Sequence, residues 1–170
     1  PDWSWKVSKD IVQDFNCVCF HEADLPKFRG GSPLQNQIIR GIKKTKTTAF
    51  LMNEKMDAGP IIMKKELSLK GSINEIIERM KKNDLEIIDK IILNNFKAKK
   101  QEGRSSSYKR RNPKESEMFS LDHSKKYMYD FIRMLEDPYP NAFLNLGKHK
   151  IIFKHAKLKN NKLSVEVEVE

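Results

Sequence analysis

The residues most able to do chemistry are a histidine and an aspartate in two separate segments. His21 follows an apolar run and opens the segment His21–Pro33, which contains adjacent glycines. Asp57 lies in the turn Met56–Pro60. An imidazolium can donate to a developing oxyanion, and a neutral imidazole can accept a proton directly or through water. A facing carboxylate would orient the ring and favour its charged form. We therefore expect His21 and Asp57 to lie within hydrogen-bond or one-water reach, at the carboxyl ends of neighbouring strands.

A strand and a helix must position His21. The apolar run Asn16–Phe20 predicts a buried parallel strand covered on both faces, with His21 at its carboxyl end. In open α/β sheets, ligands bind outside those ends. After the glycines, Ser32 is predicted to cap a helix that begins at Pro33 and runs to about Arg40.

The remaining periodicity predicts alternating strands and helices. In chain order these are strands at Thr47–Met52 and Ile61–Leu69, a helix capped by Ser72 and ending near Asn95, a helix near Asp122–Glu136, and strands near Ala142–Leu146, Lys150–Leu158 and Lys162–Val169. The turn between the first two of these strands would bring Asp57 back toward His21. Residues 97–111 are polar and rich in Lys and Arg, which is typical of a solvated linker.

Composition favours a soluble, cytoplasmic protein. The 170 residues, of which 38% are hydrophobic, can build one core with a small appendage. No apolar run approaches the ~18 residues that a membrane span needs, and the first residues lack a signal-peptide pattern. Cys17 and Cys19 would share one face of a strand, so we expect reduced thiols and no metal site.

Four separated segments together resemble the folate-dependent formyltransferases, which include methionyl-tRNA and sugar-amine formyltransferases. They are His21–Pro33, Met56–Pro60, Arg110–Ser116 and Lys125–Phe143, the last containing a Pro-Tyr-Pro sequence. The resemblance implies an α/β fold with a partial Rossmann-like core and a small C-terminal helix-plus-β appendage. Family members normally open with a βαβ unit, which we do not find before His21.

The resemblance also divides the chain into parts. It implies a catalytic core at residues 1–96, a basic linker or loop at residues 97–117, and a small C-terminal α+β subdomain at residues 118–170.

The activity implied by the resemblance is transfer of a formyl group from 10-formyltetrahydrofolate to a primary amine, without a metal. It assigns catalysis to His21 and Asp57. The family places an asparagine two residues before the histidine, where this chain has Cys19. A thiol is a weak donor, and losing one oxyanion donor costs on the order of 2.7 to 4 kcal/mol. Ala23 stands where a serine is common.

The resemblance further assigns two sets of binding residues. The folate contacts would be Trp3, Ser4, Trp5, Lys6, Leu25 and Asp57. The acceptor contacts would be Arg29, Gly30, Gly31, Ser32, Pro33, Arg110 and Arg111.

The short tail and the Arg110–Pro113 segment favour a nucleotide-linked amino sugar as acceptor, because its diphosphate would suit arginines. Methionyl-tRNA is the alternative acceptor. Two other hypotheses stay open. The net charge of +10 also fits a nucleic-acid-binding module, and Cys19 fits a catalytically impaired, formyltransferase-like binding domain. We expect no membrane partner, and the sequence leaves the oligomeric state open.

Overall fold

The computed structural model describes residues 7–94 and 96–170. The helices are α1 (Lys9–Asp14), α2 (Pro33–Ile38), α3 (Ile73–Leu93) and α4 (Lys125–Arg133), with a 3-10 helix at Pro113–Ser116. The strands are β1 (Val18–His21), β2 (Arg29–Gly30), β3 (Lys44–Leu51), β4 (Ile61–Ser68), β5 (Ser107–Tyr108), β6 (Ala142–Leu146), β7 (His149–Lys159) and β8 (Lys162–Val169).

The first sheet has the order β1-β3-β4, and both pairings are antiparallel. His21 at the end of β1 lies opposite Thr48, and Val18 lies opposite Leu51. Before His21 the residues of β1 are only half-buried. The predicted parallel pairing was therefore wrong for β3, the neighbour that β1 has within the described residues. The predicted burial on both faces was also wrong, because only His21 of β1 is buried. An apolar run in a sequence indicates burial, but it does not indicate whether the neighbouring strand is parallel or antiparallel.

Helix α3 covers this sheet as its sequence predicted. Ser72 accepts a hydrogen bond from the Glu75 backbone N–H, and the Glu75 side chain accepts one from the Ser72 backbone N–H, which completes a capping box. The buried face of the helix carries apolar residues at helical spacing, among them Ile73, Ile76, Met80 and Ile87. The helix ends at Leu93, close to the predicted position.

The second sheet confirms the three strands predicted for the C-terminal part. Its order is β6-β7-β8, with antiparallel pairings throughout. Helix α4 is shorter than the predicted span Asp122–Glu136, because the Ser124 side chain accepts from the Tyr127 backbone N–H and starts the helix there.

One hydrophobic core joins the two sheets. It includes Leu34 and Leu67 from the first half of the chain, and Phe131 and Phe153 from the second half. The buried Arg133 adds a polar link, because its Nη1 donates to the carbonyl oxygens of Leu69 and Gly71, at 2.9 and 2.7 Å. Within the described ranges, no helix is long and apolar enough to span a lipid bilayer.

Candidate active site

His21 lies at the end of β1 and is only 6% exposed. Its Nε2 lies 2.7 Å from the carbonyl oxygen of Phe28. A carbonyl oxygen can only accept, so Nε2 carries a proton in this arrangement. The other ring nitrogen, Nδ1, lies 3.8 Å from Oδ2 of Asp57. The predicted proximity of His21 and Asp57 is confirmed. The distance of 3.8 Å is longer than a direct hydrogen bond. Nδ1 is therefore the ring nitrogen that can form a hydrogen bond with a substrate.

Asp57 reaches His21 by a route that the sequence did not predict. Because β3 is antiparallel to β1, its carboxyl end at Leu51 lies beside Val18, at the opposite end of β1 from His21. The prediction that both residues sit at the carboxyl ends of neighbouring strands was therefore wrong. The loop after β3 turns back instead, and there the Oδ2 of Asp57 accepts from the Gly30 backbone N–H at 2.7 Å.

Cys19 lies on the same face of β1 as His21, since side chains alternate along a strand. Its Sγ donates to the carbonyl oxygen of Phe20 at 3.6 Å. Burial, followed by the negative charges of Asp57 and Glu22, raises the pKa of the Cys19 thiol to about 11. At neutral pH this side chain is therefore a protonated thiol, which can act as a weak donor and not as a thiolate nucleophile.

Residues 99–111, which we call the strap, lie against the turn that follows His21. Strands β2 and β5 pair in parallel, with Arg29 opposite Ser107 and Gly30 opposite Tyr108. The Arg29 backbone N–H donates to the Ser106 carbonyl oxygen at 2.9 Å. The Phe28 and Tyr108 rings stack with their centroids 5.0 Å apart. The segment interpreted as a solvated linker thus packs against the turn that follows His21 and holds it in place.

The strap also brings two predicted acceptor-binding residues to the turn. A Cβ atom on Gly31 would lie 2.3 Å from the Cα of Arg110, so glycine is required for this close approach. The Ser32 Oγ accepts from the Arg111 backbone N–H at 3.1 Å. Ser32 has a φ of 49° and makes no side-chain cap to α2, so its predicted capping role was wrong. Pro33 begins α2 as predicted.

The remaining predicted site residues divide into three groups. The Arg29 guanidinium lies in the site region and donates to Gln101. Leu25 is 0% exposed, so its side chain offers no surface to a ligand. The proposed folate contacts Trp3, Ser4, Trp5 and Lys6 lie outside the described residues. In the described part of the chain, no group of three or more His, Cys, Asp or Glu residues could hold a metal ion.

Two contributors to the site were not predicted from the sequence. One is the Phe28 carbonyl oxygen that holds the His21 ring, and the other is the side chain of Gln101 in the strap. A backbone atom leaves no signal in residue type. Gln101 lies in a polar segment without periodicity, so only its distant hydrogen-bond partners reveal it.

Family models match two regions of the chain. A model described as formyl transferase matches residues 3–92, and a model described as methionyl-tRNA formyltransferase, C-terminal domain, matches residues 113–170. Methionyl-tRNA formyltransferase of Bacillus subtilis is 29% identical over 139 residues, which are 78% of this chain and 44% of that protein. The Campylobacter jejuni protein of the same name is 31% identical over 144 residues, which are 83% of this chain and 47% of that protein. The chain spans about half the length of these curated relatives.

Solved structures agree with the family models. Methionyl-tRNA formyltransferase from Clostridium thermocellum has a TM-score of 0.94 and 42% identity, in a match that covers 99% of this chain and 74% of that chain. A 4-N formyltransferase from Francisella tularensis shares the fold, with a TM-score of 0.66, 21% identity, and coverage of 85% of this chain and 63% of that chain. The predicted Rossmann-like core with a small C-terminal domain is thereby confirmed. The chain belongs to the formyl transferase family.

Proposed function

We propose that this protein transfers a formyl group from 10-formyltetrahydrofolate to a primary amine. The observation that carries the proposal is the His21 ring, held by the Phe28 carbonyl oxygen on one side and facing Asp57 across 3.8 Å on the other. In the reaction, a neutral amine attacks the formyl carbon and the formyl oxygen gains negative charge. The bond between the formyl carbon and N10 of the folate then breaks, and N10 takes up one proton for the one that the attacking amine loses, which releases tetrahydrofolate. Protonated Nδ1 of His21 would donate to that oxygen, and Asp57 would stabilise the imidazolium.

The residues of the site fit the formyl donor. A formyl oxygen needs hydrogen-bond donors, and protonated Nδ1 of His21 would be one. The protonated Cys19 thiol lies on the same face of β1, but its single S–H donates to the Phe20 carbonyl oxygen and would have to leave that partner to reach the formyl oxygen. The leaving proton needs an acceptor, and the Asp57 carboxylate lies beside the same ring. These residues would hold the formyl group and transfer one proton, while the folate supplies the activated formyl carbon.

For the acceptor, we propose a nucleotide-linked amino sugar. The strap seats the backbones of Arg110 and Arg111 directly on the glycine turn after His21. The guanidinium of Arg40 lies over the Tyr108 ring of the same strap, 4.4 Å from its centroid. The Arg111 guanidinium donates to the carbonyl oxygen of Glu115 and lies over the Phe131 ring, 5.8 Å from its centroid. A guanidinium close to a turn of this kind would suit a diphosphate, because it can donate paired hydrogen bonds to phosphate oxygens.

Methionyl-tRNA is the second candidate acceptor, favoured by the names of the similar proteins in Bacillus subtilis, Campylobacter jejuni and Clostridium thermocellum. Turnover measured with 10-formyltetrahydrofolate decides between the acceptors. We expect product with one member of a panel of nucleotide-linked amino sugars. Product with methionyl-tRNA alone would replace the sugar assignment. Absence of product with every acceptor would favour the impaired binding domain that Cys19 suggests.

Replacing Arg110 and Arg111 together with alanine should raise the KM for the acceptor far more than it lowers kcat. The reason is that binding a diphosphate equally in the ground state and the transition state contributes to KM and not to kcat. Steady-state kinetics with varied acceptor measure both constants. The control is a double replacement of the exposed Lys97 and Lys100 by alanine, which also removes two positive charges from the polar segment 97–111. A large loss of kcat at unchanged KM would contradict the binding role.

Replacing Cys19 with asparagine should raise kcat, by up to about 10-fold, because an amide N–H is a better donor to an oxyanion than a thiol. The gain stays below the full value of a donor, since asparagine is larger than cysteine and must fit a packed strand end. Cys17→Ser controls for the loss of a thiol nearby. Single-turnover kinetics measure the effect. Lower activity in a folded Cys19→Asn protein would mean that another group holds the oxyanion.

A further inference from the structure

Gln101 of the strap uses its side-chain amide to connect both loops of the site. Its Oε1 accepts from Nε and Nη2 of Arg29, at 3.2 and 2.6 Å. Its Nε2 donates to the carbonyl oxygens of Asp57 and Gly59, at 2.9 and 2.8 Å. A carboxamide has two N–H donors and one oxygen with two lone pairs. These four hydrogen bonds therefore use the full capacity of the group and tie the Arg29 turn to the Asp57 loop.

The Asp57 backbone needs such support. Its φ of 50° lies in the left-handed region, which is uncommon for residues other than glycine. A backbone of this kind persists only where its surroundings hold it. The Asp57 carboxylate also accepts from the Gly30 backbone N–H at 2.7 Å, and Gly30 is the direct neighbour of Arg29. The bonds of Gln101 thus flank the Gly30–Asp57 contact on both sides.

We infer that Gln101 is a positioning residue for formyl transfer, which holds the Asp57 carboxylate at its place facing Nδ1 of His21 and aligns the Arg29 guanidinium with the same turn. The inference rests on the proposed function. Donors are required on the side of Asp57 and Gly59, and an acceptor is required on the side of Arg29. A glutamate could accept from Arg29, but it would set negative charge against the two carbonyl oxygens. A methionine of similar length could form neither set of bonds.

Two substitutions of Gln101 separate its support of the Asp57 loop from its contact with Arg29. Gln101→Glu should lower kcat at least about 10-fold and leave the acceptor KM within about twofold, because Arg29 keeps its partner while the Asp57 loop loses its donors. A misplacement of about 1 Å can cost about 100-fold in rate. Gln101→Met should lower kcat to a similar extent and also raise the acceptor KM, because Arg29 is released as well. Glu102→Gln changes the exposed neighbour in the strap and should alter neither constant.

Hydrogen exchange of the Gly30 amide provides a second readout that does not depend on activity. This amide donates to the Asp57 carboxylate, so we expect its exchange to be about 10-fold faster in both Gln101 variants and unchanged in Glu102→Gln. Amides in the middle of α3 should keep their protection, which shows that the protein is folded.

The combined outcomes decide the inference. Unchanged kcat in the Gln101 variants overturns it, whether or not the Gly30 amide exchanges faster, because the contact would then be merely structural. If the unaltered protein transfers no formyl group to any acceptor, the proposed function fails. In that case faster Gly30 exchange in both variants still supports the positioning of Asp57 by Gln101, and unchanged exchange overturns it.

Discussion

Replacing His21 with alanine is expected to abolish formyl transfer. The change removes the Nδ1 atom that faces Asp57, and with it both the oxyanion donor and the route for the proton. Removal of one oxyanion donor costs roughly 100- to 1000-fold in kcat, and loss of general acid–base catalysis costs roughly 100- to 10,000-fold. Turnover of 10-formyltetrahydrofolate with the best acceptor measures the loss. We expect the same loss in a Cys19→Asn background, because asparagine at that position supplies a donor and no base.

The His21 experiment needs two accompanying variants. His21→Gln tests whether the loss is chemical, because an amide N–H can take over the donation to the Phe28 carbonyl oxygen without providing an imidazole. This variant should be folded and inactive. His149→Ala removes an exposed histidine at the start of β7 and should leave kcat unchanged. Activity within tenfold of the unaltered protein in both His21 variants would refute the catalytic assignment.

Replacing Gly31 with alanine is expected to weaken acceptor binding strongly. The new Cβ would lie 2.3 Å from the Cα of Arg110, and 2.5 Å from its backbone nitrogen. Since the neighbour is backbone, the strap must move away from the turn and carry the two arginines with it. Overpacking of this kind costs typically about 1 to 3 kcal/mol in stability. Kinetics with varied acceptor should show a KM raised at least about 10-fold, in line with the lost arginine contacts.

Gly41→Ala is the matched control for this prediction. Among the residues that the structure describes, a Cβ at Gly41 meets no atom within 4 Å, and the φ of 73° makes the substitution costly only for the local backbone. The Gly41 variant should lose some stability in thermal unfolding and keep its acceptor KM. An unchanged KM in Gly31→Ala, at full folding, would show that the contact between strap and turn is not needed for the acceptor.

The local sequence pattern was sufficient to predict several elements of this protein and two residues of its candidate site. The capping box and the helical spacing of apolar residues predicted α3, and alternation predicted β6, β7 and β8 close to their observed bounds. The histidine after an apolar run and the aspartate in a turn predicted a pair that the structure brings to within 3.8 Å. These features depend on neighbours along the chain, so they leave a signal in residue type and spacing.

Other features depended on contacts between residues distant in sequence. Because β1 and β3 are antiparallel, β3 ends far from His21, and the loop after β3 must turn back to bring Asp57 close to His21. The strap, which has the composition of a linker, lies on the glycine turn through backbone hydrogen bonds that any residue type could make. Gln101 and the Phe28 carbonyl oxygen complete the site in the same way. By itself the sequence determined the longer helices and strands and the chemical groups, while α1, β2 and β5 were not predicted. Only the tertiary structure decided which backbone atoms hold those groups, because such bonds carry no side-chain signature.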